Sequence, residues 1–352
     1  MKHRCMHDSA TANLRPHTDP RPHADSRPHA TRNPLLTRRS TLALLSASSA
    51  AAIASLAACG PRDSAASSST TQNPNSSAPL VLTTFTVIQD MASRVAGEFC
   101  QVESITKAGA EIHDYEPTPD DLKRAQKAQL ILNNGLGLER WFERFVDDSP
   151  AQRADLSEGI TAIPIAEGDY QGQANPHAWM SPTNGKIYVE NIVRALSNLV
   201  PDHAKDFKAN GDAYKKELDN ISSHLIEELS TLPESQRTLV TCEGAFSYLC
   251  RDTNMQELYL WAVNAADEGT PQQIAKVVET VKAQQIPAVF CESTVSPKAM
   301  QQVADETGAT LKTDEKNILY VDSLSEADGP VPTYLDLLQH DADAIVSGLM
   351  GR

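Results

Sequence analysis

Two stretches of the chain each place one histidine in a proline-containing, turn-like segment beside acidic or aromatic residues. One stretch reads HDYEPTP at 113–119, and the other reads NPHAWMSP at 175–182. Proline restricts the backbone at such positions and favours turns over the interior of a helix. A neutral imidazole is the commonest metal ligand among protein side chains. The two loops therefore raise the question of which other side chains would complete a site.

Two carboxylates are the candidate partners, because each follows a predicted strand. In open parallel α/β sheets, ligands bind where the loops converge at the carboxyl ends of the strands. Taken singly, a loop histidine is usually solvated, and a carboxylate after a strand often caps a helix. Together, two imidazoles and two carboxylates form a mixed site suited to manganese, iron or zinc. The four candidates are His113, His177, Glu243 and Asp322.

The hydrophobic pattern from residue 80 onward alternates between strand and helix, which predicts parallel α/β sheets. The predicted strands are 80–87, 102–105, 130–133, 238–241, 257–261, 288–291 and 318–321. The predicted helices are 88–99, 119–128, 187–196, 245–251, 271–284, 297–307 and 333–349. Between the two series, residues 204–232 predict one helix of roughly 40 Å, long enough to connect two lobes. The prediction is an α/β protein of two (βα) lobes joined by a single long helix.

Residues 1–58 have the layout of a secretory signal peptide with an N-terminal extension. A basic stretch precedes a Ser-interrupted apolar run at 42–58, which is too short for an ordinary membrane span. The run ends in LAAC, which resembles a bacterial lipobox and predicts lipidation of Cys59; an ordinary signal with an incidental cysteine is the alternative. Residues 59–79 predict a flexible tether. The TRRS run at 37–40 leaves the export route open between the general and twin-arginine pathways, and the Arg-Pro-His repeats before it leave the start codon open.

The charge of the chain argues against nucleic acid as a partner. The formal net charge is −15, and residues 1–58 contribute eight Lys or Arg against three Asp, so removing them brings the charge to −20. An acidic exported protein is repelled by phosphate backbones. It suits a cation better, although acidity alone does not identify one.

Four cysteines remain beyond Cys5 and Cys59, namely Cys100, Cys242, Cys250 and Cys291. Export permits a disulfide. Four cysteines allow three complete pairings, and the spacing by itself does not select one.

Five motifs in the same order resemble the metal-binding receptors of ABC importers for manganese, zinc and iron. They are HDYEPTP from 113, NPHAWMSP from 175, TCEGAFSYL from 241, NAADEGTPQQ from 264 and YVDSLSEADGPVPTYLDLL from 320. The resemblance covers about 80–350. It implies a first lobe at 80–202, a linking helix at 203–232 and a second lobe at 233–352, with the metal in the cleft between the lobes. The positions that match the family's ligands are His113, His177, Glu243 and Asp322.

The resemblance also bears on the choice of metal. Zinc receptors of the family usually have histidine where Glu243 stands, and they carry a long His-rich acidic loop in the first lobe. This chain has no histidine between His113 and His177, so it looks like the manganese and iron branch. Because zinc binds more tightly than manganese at most such sites, zinc and iron stay as alternatives to the favoured manganese.

The predicted function is an extracytoplasmic lipid-anchored receptor, a monomer that delivers a divalent metal to an ABC permease and its ATPase without catalysis. The alternatives are an exported metallohydrolase, although no HExxH run is present, and a surface lipoprotein with incidental metal. Cys242 and Cys291 follow or end two predicted strands of the second lobe. Since some relatives appear to pair such cysteines, we hypothesise a disulfide between them.

Overall fold

The computed structural model describes residues 78–142, 149–168, 170–263 and 269–351. The predicted leader, Cys59 and nearly all of the tether lie outside these ranges, as do residues 264–268 of one motif. The first lobe contains a four-stranded parallel sheet of order β2-β1-β3-β4. Its strands are β1 Leu80–Thr83, β2 Gln101–Ser104, β3 Leu130–Asn133 and β4 Gln152–Asp155.

Three helices accompany this sheet: α1 Thr86–Ala96, α2 Pro119–Lys127 and α3 Pro182–Leu199. The start of α2 shows how the sequence sets a boundary. Thr118 accepts from the backbone N–H of Asp121, and the Asp121 side chain accepts from the Thr118 backbone, which forms a capping box. Pro119 at the first helical position has no N–H to leave unpaired. The HDYEPTP loop therefore has a defined end.

The long helix α4, Ala204–Ser230, follows the first lobe and precedes the second. Its apolar stripe is buried at Phe207, Tyr214, Leu218 and Leu225. Helix α4 packs against α1 and α3 of the first lobe and also against helices of the second lobe. A helix of this length spans about 40 Å, so one rigid element supports both lobes.

The second lobe contains two pairs of parallel strands, β5 with β6 and β7 with β8. Its strands are β5 Thr238–Glu243, β6 Gln256–Trp261, β7 Ala288–Phe290 and β8 Thr310–Lys312. Its helices are α5 Ser247–Thr253, α6 Pro271–Gln284, α7 Lys298–Thr307 and α8 Tyr334–Leu349. A disulfide between Cys242 and Cys291, whose Cα atoms are 5.0 Å apart, joins the end of β5 to the residue after β7. Cys100 and Cys250 are buried free thiols.

Some predicted element boundaries are wrong. The first strand ends at Thr83 and not at 87, because Thr86, Val87 and Ile88 begin α1 and bury its inner face. The predicted strand 318–321 forms only one isolated bridge, between Leu319 and Glu292. The short strands β4 and β8 were not predicted, since QRAD and TLK lack the apolar character that marks a strand. None of the helices in the described ranges is long and apolar enough to cross a membrane.

The buried stripe of α4 should contribute to the free energy of unfolding. Leu218 is 0% exposed, whereas Ile226 on the same helix is 46% exposed. Replacing Leu218 with alanine should lower the free energy of unfolding by about 2–5 kcal/mol, because a cavity is left in the packed core. Ile226→Ala is the matched control and should change it by less than about 0.5 kcal/mol. Urea unfolding measures both, and equal effects would contradict the packing of α4.

Candidate metal centre

His113 lies in the loop between β2 and α2. Its backbone N–H donates to Glu111 Oε1 at 2.7 Å, and Trp141 Nε1 donates to the carbonyl of Ile112 at 2.9 Å. The Trp141 ring also packs on Tyr115, with ring centroids 5.2 Å apart. These contacts hold the loop on both sides of His113, so the orientation of its ring is restricted before any ligand arrives.

His177 precedes a short 3-10 turn, Ala178–Met180, that leads into α3. Ser181 caps α3 by accepting from the backbone N–H of Asn184 at 3.1 Å. Trp179 is fully buried beneath the loop, with its ring centroid 5.3 Å from that of His177. Its Nε1 donates to the carbonyl of Val321 at 3.0 Å. Trp179 therefore ties the His177 loop to the residue before Asp322.

Glu243 and Asp322 come from the second lobe. Glu243 is the last residue of β5, and Gly244 follows it. A Cβ at Gly244 would lie 2.9 Å from the carbonyl oxygen of Ala262, so only glycine fits next to this carboxylate. Asp322 Oδ2 accepts from Thr294 Oγ1 at 3.4 Å. Among the described residues, Asp322 Oδ1 has no hydrogen-bond partner.

The structure brings the four predicted ligands together at one point. Their donor atoms all lie within 4.8 Å of one another. His113 Nε2 is 3.2 Å from His177 Nε2 and 3.3 Å from Glu243 Oε1, and His177 Nε2 is 4.0 Å from Asp322 Oδ1. Ligands about 2.1 Å from a single ion lie roughly 3–4 Å apart. The arrangement therefore has the dimensions of a coordination sphere for one small cation.

The two imidazoles differ in their protonation. Burial lowers the pKa of His113, but the carboxylates of Glu243, Asp322 and Glu111 outweigh it and raise the pKa to about 10. Burial lowers the pKa of His177 to about 4, with Glu243 opposing the change. Burial, together with the charge of Glu243, raises the pKa of Asp322 well above its usual value. Without a metal ion, the site therefore holds a positive charge on His113, next to a neutral His177.

The approach to the site is on the His113 side. The His113 side chain is 5% exposed, whereas those of His177, Glu243 and Asp322 are 0% exposed. His113 also lines a cavity of about 320 Å³ with Asp114, Arg140, Trp141 and Tyr170 among its walls. Solvent therefore reaches the cluster past the ring of His113.

Several other acids lie close to the four ligands in the sequence or directly follow a strand, and they occupy different places in the structure. Glu292, two residues beyond β7, is buried and accepts from the backbone N–H of Glu243 at 3.3 Å, so it contacts the end of β5. Asp114 and Glu116 are exposed, and Asp314 is exposed and bonded to Asn317. Glu268 lies outside the described residues. Glu292 is therefore the one of these four described acids that reaches a ligand-bearing strand.

The remaining histidines of the body lie away from the cluster. His224 is exposed, and His203 is half-buried and stacked on Phe99. His340 is half-buried, with Nε2 2.9 Å from the carbonyl oxygen of Ile318. His203 and His340 therefore make specific contacts within the folded body, whereas His224 faces solvent.

Sequence reasoning missed two residues that support the histidines. Glu111 lies two residues before His113 and binds its backbone N–H. Asn175 lies two residues before His177, and its Oδ1 is 2.9 Å from His177 Nδ1. Both residues belong to the quoted loops or adjoin them, so their spacing from the histidines was the available signal. Metal-binding histidines commonly bond an acceptor through their second nitrogen.

Two parallel-sheet lobes, one long connecting helix and a buried His/His/Glu/Asp cluster between the lobes define the class of single-helix metal-binding receptors. Comparison with known proteins supports the same class. Residues 81–348 match the family described as zinc-uptake complex component A, periplasmic (ZnuA). The chain belongs to this family.

Relatives and solved structures cover most of the described chain. The iron-binding protein YfeA of Yersinia pestis is 51% identical over 271 residues, which cover 76% of this chain and 85% of YfeA. The manganese-binding lipoprotein MntA of Halalkalibacterium halodurans is 35% identical over 270 residues, 76% of this chain and 88% of MntA. A manganese-bound periplasmic metal binding protein from Candidatus Liberibacter asiaticus has 36% identity and a TM-score of 0.72, covering 77% of this chain and 99% of that one.

Family membership confirms three predictions made from the sequence. The resemblance to metal-binding receptors of ABC importers was correct, and so was the α/β class with two lobes. The family consists of substrate-binding transport proteins, so the chain is a receptor and not a metallohydrolase.

Proposed function

We propose that the protein captures a divalent metal ion, with manganese favoured, and delivers it to an ABC-type permease driven by its ATPase. His113 and His177 of the first lobe and Glu243 and Asp322 of the second would be the ligands. Cys59 would carry the lipid anchor that keeps the receptor at the outer face of the plasma membrane. The metal is cargo, so no catalytic step is involved.

The observation that carries this proposal is the buried cluster itself. Two carboxylates with fully buried side chains, Glu243 and Asp322, lie beside two imidazoles within 4.8 Å. Burying like charges this close is costly unless a cation neutralises them. Since each lobe supplies two of the four groups, binding an ion would also hold the lobes together.

The donor set supports manganese over zinc as the cargo. Two oxygen and two nitrogen ligands are harder than a site with three imidazoles, and harder sites suit manganese and iron. The relatives do not agree on one cargo metal, because MntA is named for manganese and YfeA for iron. Zinc would still bind the isolated protein, since affinity at such sites generally rises from manganese to zinc.

Metal uptake tests the function directly. A strain lacking the gene should grow poorly in metal-depleted medium and accumulate radioactive manganese slowly, and the intact gene should restore both. Competition with unlabelled iron and zinc would rank the cargoes. Normal manganese uptake without the gene, combined with normal growth on every metal, would contradict the transport role. Selective loss of iron uptake would retain the receptor and change its cargo.

The anchor makes a separate prediction. Cys59→Ser should release the protein from the membrane fraction into the soluble fraction, because the thiol that would carry the lipid is lost. Metal binding by the purified variant should be unchanged, since the cluster lies in the folded body. Fractionation and labelling with a radioactive fatty acid measure the first effect. Retention of the variant in membranes would contradict lipidation at Cys59.

We also propose that the lobes correspond to residues 80–202 and 233–352, linked by 203–232, and that the receptor acts as a monomer. The position of α4 between the two sets of strands supports the division. Light scattering coupled to gel filtration, with and without manganese, tests the oligomeric state. A stable dimer in both conditions would contradict the monomer.

A further inference from the structure

A set of hydrogen bonds runs from β6 of the second lobe to the ring of His177 in the first. It begins at Glu257, whose two carboxylate oxygens both act as acceptors. Oε1 accepts from the backbone N–H of Phe246 at 2.8 Å, and Oε2 accepts from the hydroxyl of Ser247. Because the Ser247 hydrogen is committed to Glu257, the oxygen of Ser247 has only lone pairs left for other partners.

Asn175 connects this pair to the first lobe. Its amide nitrogen donates to Ser247 Oγ at 3.1 Å and to the carbonyl of Gly244 at 2.6 Å. Asn175 is 2% exposed. If its amide were rotated by half a turn, the NH2 hydrogens would lose both acceptors, and water could not replace them. The two acceptors of the second lobe therefore act together with the backbone N–H of His177, which donates to Oδ1 at 3.1 Å, to turn Oδ1, and not the NH2 group, toward His177.

The orientation of Asn175 sets the tautomer of His177. Oδ1 can only accept, so the contact of 2.9 Å to Nδ1 requires that Nδ1 of His177 carry the hydrogen. Nε2 then presents a lone pair toward His113, Glu243 and Asp322. With the amide reversed, Nδ1 would have to accept, and the hydrogen would move to Nε2. A protonated Nε2 cannot bind a metal ion.

We propose that Glu257 and Ser247 are positioning residues for the metal centre, acting through Asn175 to hold His177 in the tautomer that binds metal. The inference rests on the proposed role of His177 as a ligand. Neither residue touches the donor atoms of the cluster. Their effect on metal binding depends on the two lobes being in contact, because the connection from Ser247 to Asn175 crosses from one lobe to the other.

Two substitutions interrupt the path at different points. Ser247→Ala removes one of the two acceptors for the Asn175 amide. Glu257→Gln replaces one carboxylate oxygen with an NH2 group; because the Phe246 N–H needs the remaining oxygen, that group faces Ser247. The Ser247 hydrogen then loses its acceptor and turns toward Asn175, where it competes with the amide hydrogens. Both variants should weaken manganese binding about tenfold, the lower end of the effects seen for outer-shell partners of metal ligands.

The tautomer is measured by nitrogen NMR of the metal-free protein labelled with 15N-histidine, with His177 assigned from the spectrum of a His177→Gln variant. Burial raises the pKa of Glu257 to about 7, so spectra are taken above that pH. Wild-type His177 should be the Nδ1–H form throughout. Ser247→Ala and Glu257→Gln should show a mixture of the two tautomers or a shift to Nε2–H.

Matched controls separate positioning from general stability. Thr253→Ala removes another hydroxyl of α5, one that donates to the carbonyl of Leu249 at 2.7 Å and does not reach His177. It should leave the tautomer and the affinity unchanged. Ser247→Thr keeps the hydroxyl and should bind manganese like the wild type. An unchanged His177 tautomer in both Ser247→Ala and Glu257→Gln would overturn this inference, whereas failure of the wild type to bind metal would instead overturn the proposed site.

Discussion

Replacing Asp322 with alanine should lower the affinity for manganese more than about 100-fold while leaving the protein folded. Loss of an outer-shell partner alone costs about 10- to 100-fold at metal sites, and Asp322 is proposed as a ligand itself. Elemental analysis of protein purified without added metal, followed by titration with manganese, measures the loss. His177→Ala should give a similar result, because it removes a nitrogen ligand from the opposite lobe.

The fold should survive the Asp322 substitution because the contacts of this side chain in the metal-free protein, including Oδ1 at 3.9 Å from His113 Nε2, do not offset the cost of burying it. Its Oδ2 has one long hydrogen bond from Thr294 at 3.4 Å. Burial and the neighbouring charge of Glu243 raise its pKa, which means that folding disfavours its ionised form. The thermal midpoint without metal should therefore stay near that of the wild type, and the increase on adding manganese should disappear.

Asp314→Ala is the matched control for the loss of an acid from the second lobe. Asp314 is exposed and bonds Asn317 at 2.8 Å, so its removal should leave metal content unchanged. If Asp322→Ala and His177→Ala both retained the metal content of the wild type, the cluster would not be the binding site.

Affinity for the metal should also rise steeply with pH, by at least about tenfold per unit between roughly pH 6 and pH 8. A metal ion needs the neutral imidazole of His113, whereas nearby carboxylates raise the pKa of that imidazole to about 10 in the metal-free site. Throughout this range, binding must displace one proton from His113. Acidification favours the protonated form and therefore release of the metal.

Calorimetry in buffers of different ionisation enthalpy counts the protons directly, and at least one should leave for each manganese bound, because the pKa of Asp322 is raised as well as that of His113. His113→Gln is the informative variant, because glutamine does not titrate. Its affinity should be lower and far less dependent on pH in the same range. An affinity of the wild type that stayed constant with pH, with no proton released, would rule out a charged His113 in the metal-free state.

Local sequence predicted those elements whose boundaries depend on neighbouring residues. Helix α6 was placed at 271–284 and is observed as Pro271–Gln284, because Thr270 and Gln273 form a capping box and Pro271 opens the helix. Strands β4 and β8 were not predicted because they are short and lie at sheet edges, where strand formation depends on pairing with a neighbouring strand. The segment 318–321 has the composition of a strand but pairs at only one position.

Motifs and the spacing of apolar residues were enough to predict the class of receptor, the long connecting helix and the four residues proposed to bind metal. How these four residues are held depends on contacts that form only in the folded protein. His177 and Asn175 are close in the chain, but Ser247 and Glu257 reach them only after the second lobe folds against the first. Hydrogen-bond direction depends on which atoms meet in space, and no local pattern specifies which distant side chains those will be.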